Sequence, residues 1–351
     1  VAVLVGIGLV LALAASPTAS TADAPFHYAL RQAGFVAVAG VVLAVCAAMD
    51  APTVRRVCLG LFLVLFLMLA AILVVGHEAK GGQRWIDIGQ FRFQPSEFIK
   101  PVVIVCAGWL LGQRELHPRG PWAPAAFTFV ALTGGLLLLQ PDVGQTALLG
   151  LAFVATFFVV GLPLGWAVGF AVGAGLLGVI LYNLLSHVRY RVDSFLAPDD
   201  YERHQIGLAR QAFESGGLAG AGPGEGEIKD RLPEAHTDFI YSVAAEEFGA
   251  IACVLIIALF AFVSLRGLWL ASRQADPYRR AAAAGLFALF GLQALINLLV
   301  NTDLMPPKGM TLPLISYGGS SLIGTAMCLG FALALTRAEP TTPSSQRREA
   351  P

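Results

Sequence analysis

Residues 55–76 read RRVCLGLFLVLFLMLAAILVVG: two arginines, then twenty residues without a charge. As a helix, such a run spans about 30 Å at roughly 1.5 Å per residue, which matches the hydrocarbon core of a bilayer. Nine further segments meet or approach that length, at about 1–16, 33–49, 95–112, 122–140, 142–161, 163–186, 239–265, 281–302 and 317–336. The first opens in the middle of an apolar pattern without a basic leader, so it is read as a span entered partway and not as a signal peptide. The composition agrees. The chain is 56% hydrophobic and 13% charged, with mean hydropathy +0.71, whereas a soluble domain carries about 25% charged residues. The fold class expected is an all-α polytopic membrane protein, a bundle of ten transmembrane helices with a long extracytoplasmic loop, 187–237, between helices 7 and 8.

The charges then set sides. Counted over the short loops and the tail, one set holds Arg55, Arg56, Arg114, Arg119, Arg266, Arg273, Arg279, Arg280, Arg337, Arg347 and Arg348, against Arg31, Lys80, Arg84, Arg92 and Lys308 in the other, the long segment 187–237 being left out of the count. Basic residues accumulate in cytoplasmic loops. Both termini are therefore expected in the cytoplasm, with 77–94, 187–237 and 303–316 outside the cytoplasmic membrane. Residues 1–338 read as one domain, and 339–351 as a disordered cytoplasmic tail rich in Pro, Ser and Thr. Within 187–237, apolar residues spaced among charges predict a partly amphipathic helix over the bundle. A net charge of zero advertises no polyanion-binding surface, and no nucleic-acid partner is expected. The five cysteines lie in apolar runs without metal-ligand spacing and read as small core residues.

Ionisable groups inside apolar spans are costly, and they mark sites. Glu97 and Lys100, three apart on one helix, read equally as a self-compensated pair or as the lining of a polar cavity. Asp238 stands where the long loop enters the eighth span, in Pro233-Glu234-Ala235-His236-Thr237-Asp238-Phe239-Ile240. A carboxylate there can cap a helix N-terminus. Alternatively, it is a base delivered to the outer boundary beside Arg84, Lys100 and Lys308, an arrangement suited to a lipid-linked pyrophosphate substrate. Glu246 and Glu247 lie about two turns deeper and read as supports or cavity residues. Asp142 reads as an N-cap. His236 reads as a positional hydrogen-bonder, since no serine or cysteine completes a triad with it. Pro306 to Pro313 cannot continue a helix, and the small residues of Ser316-Tyr317-Gly318-Gly319-Ser320-Ser321 permit close approach of a helix or a lipid chain. No zinc-type cluster is present, but a hard divalent cation between a carboxylate and phosphate oxygens would leave little trace in a sequence.

Several of these stretches together resemble one family. Gly82-Gln83-Arg84-Trp85-Ile86-Asp87, Phe93 to Lys100, Gln140-Pro141-Asp142-Val143-Gly144, Pro233 to Ile240, Glu246-Glu247-Phe248-Gly249 and Gly309 to Ser321 are similar to motifs of the SEDS cell-wall polymerases, the RodA and FtsW proteins. Lys308-Gly309 is closer to the division branch than to the elongation branch. Ala219 and Asp303 depart from the family pattern. The resemblance implies an inverting peptidoglycan glycosyltransferase that polymerises lipid II at the outer face of the membrane for septal wall synthesis and releases undecaprenyl pyrophosphate. It implies Asp238 as general base on the acceptor hydroxyl. Arg84, Lys100 and Lys308 would neutralise pyrophosphate, with Glu97, His236 and Ser320 as further substrate-site residues. A divalent cation, Mg or Mn, is the cofactor expected, without an assigned metal ligand and without an organic cofactor. The partners implied are a class B penicillin-binding protein and other septal division proteins. Two other classes compete: a lipid II flippase, which needs a polar path from the cytoplasm, and a non-catalytic scaffold, in which Asp238 would be dispensable.

Overall fold

The computed structural model describes all residues except 16–26, 76, 80–81, 89–90, 141, 162–163, 187, 190–192, 194–199, 306–308 and 338–351. The helices are α1 (Ala2–Ala14), α2 (His27–Ala48), α3 (Ala51–Val75), α4 (Pro95–Leu116), α5 (Trp122–Leu139), α6 (Val143–Val159), α7 (Leu164–Leu184), α8 (Asp200–Gly216), α9 (Ile240–Ser272), α10 (Pro277–Asn301) and α11 (Gly319–Thr336). Seven are long and apolar enough to cross a membrane, and three shorter apolar helices accompany them. The outward faces carry large apolar side chains, among them Leu63, Leu67, Val254, Phe262 and Leu265. That pattern suits lipid and not water.

The bundle is organised around α4 and α10. Of their apolar windows 89% and 78% are buried, against 22% for α3, so these two form the interior. They can touch because Gly108 faces Ala282: a Cβ on Gly108 would stand 2.6 Å from the Ala282 Cα. Pro101 inside α4 has no N–H to give the Glu97 carbonyl, and Gly324 of α11 packs against that same carbonyl. The five cysteines are free and buried, as core residues should be.

The structure departs from the sequence expectation in two places, and both serve the site. Between α3 and α4 the chain is not an irregular loop. It forms a three-stranded antiparallel sheet of β1 (His77–Ala79), β2 (Gly82–Ile88) and β3 (Phe91–Phe93), in the order β1-β2-β3. Ile86 pairs with Phe93 and Ile88 with Phe91, and the Phe93 ring stacks on Phe98 of α4 at 4.8 Å. Among the described residues the fold is helical apart from this small sheet, which is an addition to the all-α expectation. The strand is not legible in the sequence because GQRWIDI is short and its adjacent Trp85 and Ile86 break a period-two alternation.

The second departure is in α9, where the apolar run from 239 predicts an unbroken span. Gly249, at φ 74° and ψ −177°, interrupts it. The half-helix Ile240–Phe248 is buried almost throughout, and the longer half carries the exposed apolar residues. The groups freed by the break are satisfied by the segment after α8. The Ala221 and Gly222 N–H groups donate to the Glu246 and Glu247 carbonyls at 2.8 and 3.1 Å, and Ala250 N–H donates to the Gly217 carbonyl at 2.9 Å. Irregular backbone is tolerated among membrane helices only when it is buried and hydrogen-bonded in this way. Gly220, at φ +87°, has the Glu247 carbonyl where a Cβ would lie. Gly220→Ala is therefore expected to cost more than about 1–3 kcal/mol, since a strained φ and a backbone overlap add. Thermal unfolding in detergent would show it as a lowered midpoint relative to Gly224→Ala, a positive-φ glycine with open space around it.

Candidate functional site

The segment entering α9 turns tightly. Glu234, at φ 60°, accepts from Thr237 N–H and Phe239 N–H at its carbonyl, at 3.0 and 3.2 Å. Its carboxylate accepts from the Thr237 hydroxyl at 2.7 Å. Asp238 follows, half-buried, and is not the cap of α9. That position is Phe239, which has no side-chain cap bond.

Asp238 is fixed through its main chain. Its carbonyl accepts from two amides of α10, Asn297 Nδ2 and Asn301 Nδ2, each at 2.9 Å. Asn297 Nδ2 also donates to the Met310 carbonyl at 2.7 Å. Asn301 Oδ1 accepts from Ser242 N–H at 3.2 Å and from its hydroxyl at 2.8 Å, which supplies the cap that Phe239 lacks. The carboxylate points to the segment after Lys308: a Cβ on Gly309 would lie 3.8 Å from Asp238 Oδ2. Gly309 itself has φ +62°. Lys308 lies outside the described residues.

The 309–318 segment is locked from several sides. The Ser316 hydroxyl donates to the Thr237 carbonyl at 2.6 Å and accepts Leu312 N–H at 2.8 Å. Tyr317 N–H donates to the His236 carbonyl at 2.9 Å. The His236 ring stacks on Tyr28 at 4.3 Å and meets Tyr317 edge-on at 5.6 Å. His236 thus joins α2, the Asp238 segment and the start of α11.

Glu97 and Lys100 lie deeper, 5% and 1% exposed. Lys100 Nζ donates to Glu97 Oε2 at 3.1 Å, to Gln145 Oε1 at 2.5 Å and to Gln293 Oε1 at 3.4 Å. Gln145 Nε2 donates to Glu97 Oε1 at 2.8 Å. All three ammonium protons have protein acceptors, so the pair is compensated within the bundle. A void beside it, edged by Glu97, Lys100, Gln293, Pro313 and Thr325, holds about 10 Å³, room for one water at most. Gln293 Nε2 donates to the Thr311 carbonyl at 3.4 Å, which ties this pair to the same segment that faces Asp238.

The remaining predicted residues divide. Arg84, on β2, reaches the turn between α5 and α6, with Nε 3.5 Å from the Gln140 carbonyl and 3.8 Å from Asp142 Oδ2. Asp142 caps α6, accepting Gln145 N–H. The Ser320 hydroxyl accepts Gln94 N–H and donates to the Arg92 carbonyl, both at 3.1 Å, and so holds the sheet to α11. Glu246 accepts the Ile228 and Lys229 N–H groups at 2.7 and 3.0 Å. Glu247 pairs with Lys229 at 2.5 Å, both nearly inaccessible. These two glutamates fasten the segment after α8 to the half-helix.

Sequence reasoning overlooked Lys229, Gln293, Asn297 and Asn301. The last three recur every four residues and form one face of an otherwise apolar helix, which is the signal that could have found them. Among the described residues, no group of three His, Cys, Asp or Glu stands where it could hold a metal ion. The described residues therefore do not make a cation site from protein groups alone.

The family model FtsW/RodA/SpoVE, described as cell cycle protein, matches residues 1–340. A protein of Caulobacter vibrioides named probable peptidoglycan glycosyltransferase FtsW is 45% identical over 343 residues, 97% of this chain and 88% of the relative. One of the same name from Geobacter sulfurreducens is 36% identical, covering 93% and 90%. Among solved structures, a chain described under the structural coordination of polymerization and crosslinking by a peptidoglycan synthase complex superposes with a TM-score of 0.80. It is 29% identical and covers 95% of each chain. The rod shape determining protein RodA of Thermus thermophilus matches with a TM-score of 0.68 at 27% identity, over 95% and 93%.

Proposed function

The chain belongs to the FtsW/RodA/SpoVE family, and from that premise we propose that it polymerises lipid II with Asp238 as the general base. It is a multi-pass membrane protein and a peptidoglycan glycosyltransferase of the division type, in keeping with relatives named probable peptidoglycan glycosyltransferase FtsW. Seven long and three shorter apolar helices support ten spans. The arginine-rich loops opposite the sheet support cytoplasmic termini and an outward-facing Asp238.

The observation that carries the reading is the way Asp238 is held. Two amides fix its carbonyl, while its carboxylate stands half-buried beside Gly309. A base gains most when its geometry is set before substrate arrives. In the proposed step the acceptor GlcNAc 4-hydroxyl loses its proton to the Asp238 carboxylate. Its oxygen forms a bond to the donor MurNAc anomeric carbon from the face opposite the leaving group. The bond from that carbon to the pyrophosphate oxygen breaks, and undecaprenyl pyrophosphate leaves with the electron pair. The configuration inverts. Lys308, next to Gly309, and Arg84 are the cations proposed to receive the pyrophosphate. Glu97 and Lys100 act as frame. A class B penicillin-binding protein and septal proteins are the proposed partners, in keeping with the solved relative being a synthase complex.

The test supplies labelled lipid II to the purified chain with its penicillin-binding partner in vesicles. Glycan strands are expected. Transbilayer movement of lipid II without strand formation would replace this reading by a flippase.

A further inference from the structure

Three amides, Gln293, Asn297 and Asn301, project from one face of α10 at four-residue spacing, and the last two converge on the Asp238 carbonyl. Gln293 accepts a hydrogen bond from Lys100 and donates to the Thr311 carbonyl. Asn297 donates both amide protons, one to the Asp238 carbonyl and one to the Met310 carbonyl. Asn301 donates to the Asp238 carbonyl and caps the half-helix of α9 at Ser242. Asn297 and Asn301 are 1% and 2% exposed, so their bonds do not compete with water.

From this we infer that Asn297 and Asn301 are positioning residues for the transfer step. They set the distance between the Asp238 carboxylate and the Gly309–Thr311 segment. The two chain segments that meet at Asp238 and Gly309 are separated by 71 residues. Asn297 bonds from α10 to the backbone of both, at Asp238 itself and at Met310, whereas the Ser316 hydroxyl bridges them at Thr237 and Leu312. Asn301 adds a second bond to the same Asp238 carbonyl, so the peptide that carries the base cannot rotate about a single contact. A misplacement near 1 Å costs about a hundred-fold in rate when a reacting group is held for near attack. Neither amide reaches the reacting atoms in this arrangement. Their effect is therefore expected on turnover and not on lipid II binding. The inference rests on Asp238 being the base.

The experiment measures initial rates of strand formation against lipid II concentration for the full chain with its penicillin-binding partner. Asn297→Ala, Asn301→Ala and Asn301→Asp are compared with wild type and with Asp238→Asn. The Asn301→Asp substitution keeps the acceptor for Ser242 and removes the donor to Asp238, which separates helix capping from positioning. The expected result, at equal amounts of folded protein, is a kcat lowered about ten- to hundred-fold in all three asparagine variants with an unchanged KM, and a lowered melting midpoint for Asn301→Asp, whose buried carboxylate faces the Asp238 and Asn297 carbonyl oxygens. A wild-type kcat in Asn301→Asp would overturn the inference, because the cap alone would then account for Asn301. So would a raised KM at unchanged kcat. If the alanine variants fail to fold, Asn301→Asp decides. The reading of Asp238 fails separately: Asp238→Asn that still polymerises removes the base, whereas an inactive Asp238→Asn beside fully active asparagine variants removes only this inference.

Discussion

Asp238→Asn is expected to lower strand formation about a hundred- to ten-thousand-fold, the range spanned by general-base catalysis, with the fold intact. The substitution keeps size and polarity, and the bonds from Asn297 and Asn301 to this position use the main-chain carbonyl, which asparagine retains. What it loses is the ability to take a proton from the acceptor hydroxyl. The thermal midpoint in detergent should therefore stay at the wild-type value, and association with the penicillin-binding partner should persist. A fall in activity together with a fall in stability would instead mark Asp238 as a structural residue.

The second large effect is expected at Lys100. Lys100→Met leaves the Glu97 carboxylate buried with Gln145 as its neutral donor. Removing one partner of a buried pair costs about 3–5 kcal/mol, because the remaining charge loses its compensation. Glu97→Gln strands the ammonium in the same way. The double substitution removes both charges, so its loss should be smaller than the sum of the two singles. Thermal unfolding of the four proteins measures this directly. Additive losses would mean that the two charges are not coupled, contrary to their 3.1 Å separation.

These two sites differ in how far the sequence alone reveals them. The apolar runs announce the helices because lipid demands them, and Asp238 and Glu97–Lys100 stand out as charges in or beside such runs. The i, i+3 spacing of Glu97 and Lys100 already places them on one face. The partners that finish the site are of another kind. Gln145, Gln293 and Asn297 are neutral, so a census of charges passes over them. Lys229 is one polar residue among many in a loop, and only the folded chain brings it to Glu247. The break at Gly249 is hidden for a related reason. Apolar residues flank it on both sides, and the segment that satisfies it, Gly217–Gly222, is about 30 residues earlier. Long-range hydrogen bonding leaves no periodicity to read. The sheet at 77–93 is short and is held by pairing across turns, which hydropathy does not register.

The measurement that tests the account most directly is strand formation from labelled lipid II by wild type and Asp238→Asn, run side by side at equal amounts of folded protein and equal bound lipid II. Strands are expected from the wild type at a rate at least about a hundred-fold above that of the variant. Strands from Asp238→Asn at the wild-type rate would contradict the account.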